Sequence, residues 1–306
     1  MSKQGYRGFR VRVRTVDRLS PHFTRVTFTA DDLADFGCFG ADQRIKVVLP
    51  IDGRGVDAFP DHADWYQAWR GLPEGERNPI RTYTIRDARP AQREVDVDFV
   101  AHGDSGPASR WIATAAAGDE LVIIGPDATS EAPAEGYEWK PGRAETLLLV
   151  GDETAAPAIC SILEGLPADA RGCAFIEVPT AADALAVSAP VGVDVRWLPR
   201  DAMAFDAAAA AIGGAGYGSA LVPAVRGWAE SWVDAVRPGP EPEPADLGVD
   251  LLWEVPEGSA DGDLYAWLAG EASAITTLRR HLVCDLGIDR KRVAFMGYWK
   301  LGRAEN

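Results

Sequence analysis

Hydrophobic and polar residues alternate along the first third of the chain and fall into solid apolar blocks along the rest. Residues 9–16 and 23–29 alternate with period two on either side of the turn Ser20-Pro21. That pattern predicts two strands, each with one buried face. Residues 44–49, 80–85, 94–100 and 120–124 give four more short strands. Gly106-Pro107 opens a helix over 109–117, since proline suits the first helical turn. Residues 51–79 are rich in Gly, Pro and Asp around Trp65, Tyr66 and Trp69, which predicts a long loop with one helical turn. Short strands with a single helix predict a small antiparallel β-barrel.

The pattern then changes. Residues 127–143 are polar with Pro and Gly, as expected of a linker between domains. Strands at 146–150, 173–178, 193–197, 250–253 and 293–296 then alternate with helices at 155–163 and 181–186 and a long one at 264–285. Such alternation predicts a doubly wound parallel sheet covered on both faces. The fold class expected is therefore a β-barrel plus α/β, with an N-terminal barrel domain over 1–142 and an α/β domain over 143–306. The proline-rich acidic run at 237–244 reads as an extended surface segment.

Composition narrows the function. The 306 residues suffice for two domains of ordinary size. No apolar run approaches the ~20 residues that cross a bilayer, so no membrane insertion is expected. The basic N-terminus has no apolar stretch behind it, so no secretory leader is expected. A formal charge of −15 argues against a nucleic-acid partner. Arg7, Arg10, Arg12 and Arg14 crowd one stretch, but their near-alternation predicts the solvated face of a strand. Cys38, Cys160, Cys173 and Cys284 are scattered without CxxC spacing, which suits reduced thiols of a cytoplasmic protein. The four histidines stand without metal-site spacing, so no metal is expected.

Two lookalikes lead nowhere. Gly103-Asp-Ser-Gly-Pro107 resembles a protease nucleophile loop but has no partner sequence for a base. Gly214-Ala-Gly-Tyr-Gly218 resembles a dinucleotide fingerprint but follows an alanine-rich run instead of a strand; it reads as a turn.

Three other stretches carry chemistry. Arg81-Thr82-Tyr83-Thr84-Ile85-Arg86 opens a strand, so Arg81 and Tyr83 share one face and Thr82 and Thr84 the other. A forked guanidinium suits a phosphate, although a plain surface strand with a half-buried tyrosine fits the same pattern. Next comes His102-Gly, then Gly106-Pro-Ala108-Ser109-Arg110-Trp111 at a helix start. Free amides there favour an anion; an ordinary Gly-Pro helix start is the alternative. Finally, Gly151-Asp152-Glu-Thr154-Ala-Ala-Pro joins a strand to a helix, the place where α/β sheets bind nucleotides. A simple turn with Thr154 as a cap is the alternative.

Taken in order with Gly118-Asp119 and the C-terminal Gly297-Tyr-Trp-Lys-Leu-Gly-Arg303, these stretches resemble the siderophore-interacting protein family over nearly the whole chain. These are FAD-binding ferric-siderophore reductases of the ferredoxin–NADP reductase superfamily. The resemblance implies that Arg81 holds the FAD pyrophosphate, Tyr83 stacks on the flavin ring and Thr84 bonds near its N5, with Thr82 in the same strand. It implies that His102 lies against the cofactor, and that Gly106, Ala108, Ser109, Arg110 and Trp111 form the turn around the pyrophosphate. Gly151, Asp152 and Thr154 would receive the nicotinamide end of NADH or NADPH. Glu177, at the end of the next strand, would bind ribose hydroxyls and favour NADH. Glu271 would lie near the flavin, and Lys300 and Arg303 would meet the ferric siderophore. The implied activity is NAD(P)H-dependent, FAD-mediated reduction of ferric siderophore with release of Fe(II), by a cytoplasmic monomer. A flavin reductase with another acceptor, or a siderophore carrier without turnover, would share these features.

Overall fold

The computed structural model describes residues 5–60, 64–101, 106–132, 135–203, 216–235, 252–256 and 262–303. The chain divides into two compact units, Met1–Tyr137 and Glu138–Glu305.

In the first unit six antiparallel strands close a barrel in the order β1-β2-β5-β4-β3-β6. They are β1 Tyr6–Arg18, β2 Phe23–Thr29, β3 Arg44–Val48, β4 Ile80–Arg89, β5 Glu94–Val100 and β6 Glu120–Pro126. The period-two pattern accounts for the wall. Phe9, Val11 and Val13 of β1 point into the core while Arg10, Arg12 and Arg14 point out. The arginine row is thus one strand face, paired with Asp57, Glu120 and Glu94. On β5 the inward residues Val95, Val97 and Phe99 alternate with Glu94, Asp96 and Asp98. These carboxylates are buried because arginines lie over them: Arg25 grips Asp98 at 2.7 and 2.9 Å, and Arg89 grips Asp96 at 2.8 and 2.7 Å.

The described residues of 51–79 are more ordered than a loop. They hold a helix, Trp65–Gly71, and a 3₁₀ turn, Glu74–Glu76. With Val56 and Phe59, Trp65 and Trp69 of that helix cover the outward residues Val48, Val122 and Ile124, forming a second small core. The expected linker is also packed chain. Gln43 Nε2 donates to the carbonyl of Glu135, and Gly136 O accepts from Arg44 N. Beyond residue 137, Trp139 meets Tyr265 edge-on at 5.3 Å.

The second unit is a six-stranded sheet in the order β10-β12-β11-β7-β8-β9. Its strands are β7 Thr146–Gly151, β8 Gly172–Val178, β9 Val193–Pro199, β10 Trp253–Glu254, β11 Leu264–Glu271 and β12 Val293–Trp299. All pair in parallel except β10, a two-residue antiparallel edge. Leu148 and Val150 of β7 face a core shared with the helices Leu221–Ala235 and Ala272–Arg279. The alternate face of β7 takes the helix Ala156–Gly165, whose Ile159 lies against Gly151. The chain runs from β7 outward to β9, then returns to the other side of β7 for β11 and β12. That reversal is the switch point of a doubly wound sheet.

Three expectations change here. The long helix expected at 264–285 is strand β11 followed by the helix Ala272–Arg279 and a wider π turn, Arg280–Asp285. All eight residues of β11 are buried. A strand covered on both faces is a continuous apolar run, which periodicity alone does not separate from a buried helix. The short helix at 181–186 is a 3₁₀ turn, Ala181–Asp183, closed by a Thr180–Asp183 capping box. The helix Leu221–Ala235 was not anticipated. The run 237–244 and residues 213–215 lie outside the described residues. Cys160 and Cys173 are buried free thiols, and Cys38 is exposed.

Candidate functional site

The first site is built on β4. Tyr83 and Arg81 pair across with Ile45 and Val47, both buried in the barrel core, so the two side chains share the inner face of the wall. Tyr83 is half-buried, its ring 4.4 Å from that of Phe99. Phe99 in turn meets Trp111 at 5.3 Å, and Trp111 stacks over Phe28 at 6.4 Å. The tyrosine therefore has a rigid aromatic backing that reaches from strand β5 to the helix Pro107–Thr114. Arg81 is half-buried, and one guanidinium nitrogen donates to the carbonyl of Ile80 at 2.8 Å. Thr82 and Thr84 stand on the other face. Thr82 is exposed and accepts from Lys46 Nζ at 2.7 Å, whereas Thr84 is 6% exposed.

Antiparallel pairing sets the start of β4 beside the end of β5, and β5 leads towards the helix Pro107–Thr114. Gly106 is its N-cap in extended conformation, with no side-chain cap, and Pro107 follows. The start of a helix favours an anion. Ala108 and Ser109 are buried, and Arg110 is exposed. His102 lies outside the described residues. A half-buried cation, an aromatic face with fixed backing and a helix start fit a flavin dinucleotide.

The second site lies at the switch point, where the ends of β7, β11 and β12 meet. Asp152 ties them together. Its Oδ1 accepts from Thr154 N at 2.9 Å and Thr154 Oγ1 at 2.5 Å. Its Oδ2 accepts from Glu271 N at 2.7 Å and Trp299 Nε1 at 2.9 Å. Burial, then the neighbouring Glu153 charge, pushes the Asp152 carboxyl up to about 6, against the donors Thr154 and Trp299. The glycines beside it allow the close approach. A Cβ on Gly151 would meet Ala155 Cβ at 2.5 Å, and one on Gly270 would meet Asp152 Oδ2 at 2.7 Å.

Glu271 caps the helix Ala272–Arg279, its Oε2 accepting from Ser273 N, Ser273 Oγ and Ala274 N. Its Oε1 accepts from Leu301 N at 3.2 Å, which pins the C-terminal tail. Burial would raise this carboxyl, but the bonds from Ser273, Leu301 and Ala274 outweigh it and the net shift is downward. Lys300 and Arg303 lie on that tail and are exposed.

Beside this cluster runs a buried ionic pair. Arg200 donates to both oxygens of Glu153 at 2.7 Å, with Glu177 at 3.4 Å. The ring of Tyr217 covers the Arg200 guanidinium at 4.3 Å and meets Trp299 edge-on at 4.4 Å. Burial would lower the Arg200 pKa, but the bonds and charge of Glu153 reverse this and raise it.

Glu177 requires a correction. It is fully buried, and its oxygens accept from Gly218 N, Ala220 N and Leu221 N at 2.8–3.1 Å. It caps the helix Leu221–Ala235 and has no surface with which to reach a ribose. Gly151 likewise serves close packing. Arg200 and Tyr217 were not singled out from the sequence, nor was their link to Glu153 and Trp299. A tyrosine between glycines, Gly216-Tyr217-Gly218, was the available signal.

Residues 12–130 match the family described as siderophore-interacting FAD-binding domain, and residues 144–302 match the siderophore-interacting protein family. The chain belongs to the siderophore-interacting protein family. Its first unit is an FAD-binding domain of that family, as the ordered motifs had implied. An uncharacterized protein of Mycobacterium tuberculosis is 32% identical over 94% of this chain and 88% of its own length. The ferric vibriobactin reductase ViuB of Vibrio cholerae is 28% identical over 94% of this chain and 87% of its own length. Among solved structures, the siderophore-interacting protein SipS of Aeromonas hydrophila superposes with a TM-score of 0.66 at 29% identity, covering 98% of this chain and 94% of SipS. A siderophore utilization protein from T. fusca gives 0.68 at 27% identity, covering 98% and 95%. No described helix is long and apolar enough to cross a membrane.

Proposed function

We propose that the protein is a cytoplasmic reductase that uses NADH or NADPH and FAD to reduce the iron of a ferric siderophore and release it as Fe(II). The observation that carries this reading is the barrel site: Tyr83 backed by Phe99 and Trp111, with Arg81 on the same strand face. Similarity to a ferric vibriobactin reductase along 94% of the chain supports the acceptor.

When bound, FAD would supply the redox chemistry that links a two-electron nicotinamide donor to a one-electron acceptor. The chain supplies position and electrostatics. Arg81 and the first-turn amides Ala108 N and Ser109 N hold the pyrophosphate, with Arg110 at its edge. Tyr83 covers one face of the flavin ring and excludes water from it. Asp152 and Glu271 fix the ends of β7, β11 and β12, and so fix the floor on which the nicotinamide rests. Lys300 and Arg303 offer charge to an anionic ferric chelate. Fe(II) leaves because siderophore oxygens hold it far more weakly than Fe(III), so no general acid or base is required.

Aerobic and anaerobic assays with FAD-loaded protein, a nicotinamide donor, a ferric catecholate and a ferrous-specific chromogenic chelator test the proposal. Colour should appear at a rate set by protein concentration. Flavin-loaded protein that oxidises the nicotinamide but yields no ferrous colour anaerobically would contradict it.

A further inference from the structure

We propose that the second unit takes NADH in preference to NADPH, with Asp201 receiving the hydroxyls of the adenosine ribose. The inference rests on the reading above that this unit binds a nicotinamide dinucleotide. In a doubly wound sheet the adenosine ribose lies at the C-terminal end of the second strand. There an acidic side chain accepts from the ribose hydroxyls, or an arginine meets a 2′-phosphate.

Here the second strand is β8, ending at Val178. Glu177 is consumed by the backbone of the helix it caps. Asp201 replaces it from the helical turn Arg200–Met203, which follows the neighbouring strand β9. Its backbone N–H donates to Pro179 O at 3.2 Å, which sets it directly beside the end of β8, and it is exposed.

Charge at this edge excludes the 2′-phosphate. Between β8 and the helix Leu221–Ala235 the sequence contains two cations, Arg196 and Arg200. Arg196 lies in β9, bonded to Asp194 at 2.7 Å and over the Phe175 ring at 5.4 Å. Arg200 has both ends held by Glu153 at 2.7 Å and one face covered by Tyr217 at 4.3 Å. Two buried carboxylates, Glu153 and Glu177, surround that one guanidinium, so the cluster carries net negative charge. A phosphomonoester brings nearly two more negative charges. It would meet repulsion from Asp201 and the cluster. A 2′-hydroxyl is a neutral donor and suits a carboxylate acceptor.

The test measures affinity by calorimetry and flavin reduction by stopped flow, on FAD-loaded wild type and Asp201→Arg. The wild type should bind 5′-ADP about tenfold or more tightly than 2′,5′-ADP, and should be reduced faster by NADH than by NADPH. Asp201 is exposed, so its replacement should leave the fold intact, and Asp201→Arg should narrow or reverse both preferences by about tenfold. Equal or tighter wild-type binding of 2′,5′-ADP overturns the inference, as does an unchanged ratio in Asp201→Arg. If neither nucleotide binds and neither dinucleotide reduces the flavin, the functional reading of the unit has failed, and the inference falls with it.

Discussion

Arg81 and Tyr83 share a strand face, yet their removal should read out differently. Arg81 is a half-buried cation at the start of β4. Charge-assisted bonds from Arg81 to a pyrophosphate, as proposed, would be worth roughly 1.5–3 kcal/mol. Arg81→Ala should therefore lose FAD on dialysis under conditions where the wild type retains it, as absorbance after dialysis will show. Tyr83 contributes a face more than a charge. Tyr83→Ala should leave Phe99 behind it and open one side of the ring to water, shifting the flavin's visible spectrum and potential more than its affinity. A spectroelectrochemical titration separates the two effects. Asp152 makes a third case, since all four of its acceptor positions are used. Burial holds its carboxyl at about 6, above the ordinary carboxylate range. The folded state then takes up the proton first, so the stability contributed by Asp152 grows as pH falls through about 6 and is lost as pH rises through it. Protonation should also change the bond to Trp299. The emission difference between wild type and Trp299→Phe should titrate with a midpoint near 6, and Asp152→Asn should abolish that titration.

At the scale of elements, the barrel strands were readable and β11 was not, for one physical reason. Strands with one wet face announce themselves by alternation, as Phe9, Val11 and Val13 do against Arg10, Arg12 and Arg14. β11 has no wet face, so Leu264-Tyr-Ala-Trp-Leu-Ala carries no period to read. The stretches proposed to hold FAD were legible because Arg81, Tyr83 and the Gly106-Pro107 helix start are local in sequence. The Glu153–Arg200–Tyr217–Trp299 cluster was not, because its members come from four distant segments joined only by the sheet order. Glu177 lay in the expected place but had a different task. Its two oxygens serve three amides at the start of the helix Leu221–Ala235. Glu177→Gln replaces one acceptor with a donor facing those amides. The variant should lose about 1–3 kcal/mol of stability, measured as a lower urea midpoint with an unchanged slope.

At the scale of the whole molecule, the charge of −15 bears on the acceptor. Many ferric siderophores are anions, and net repulsion slows their encounter unless cations line the approach. Lys300 and Arg303 are exposed on a tail that Glu271 pins through Leu301 N. Lys300→Ala should raise the apparent KM for an anionic ferric chelate severalfold at low salt and leave flavin content unchanged. Salt should weaken the wild type and close the gap to the variant, because exposed charges are screened within ~8–10 Å at 0.10–0.15 M ionic strength. The most direct measurement of the central claim is a single turnover. Protein loaded with FAD is reduced anaerobically by one equivalent of NADH and mixed with a ferric siderophore while the flavin absorbance is followed. The account predicts that the absorbance recovers at a rate that rises with chelate concentration, with two Fe(II) released per flavin. A flavin that stays reduced in the presence of excess ferric siderophore would contradict it.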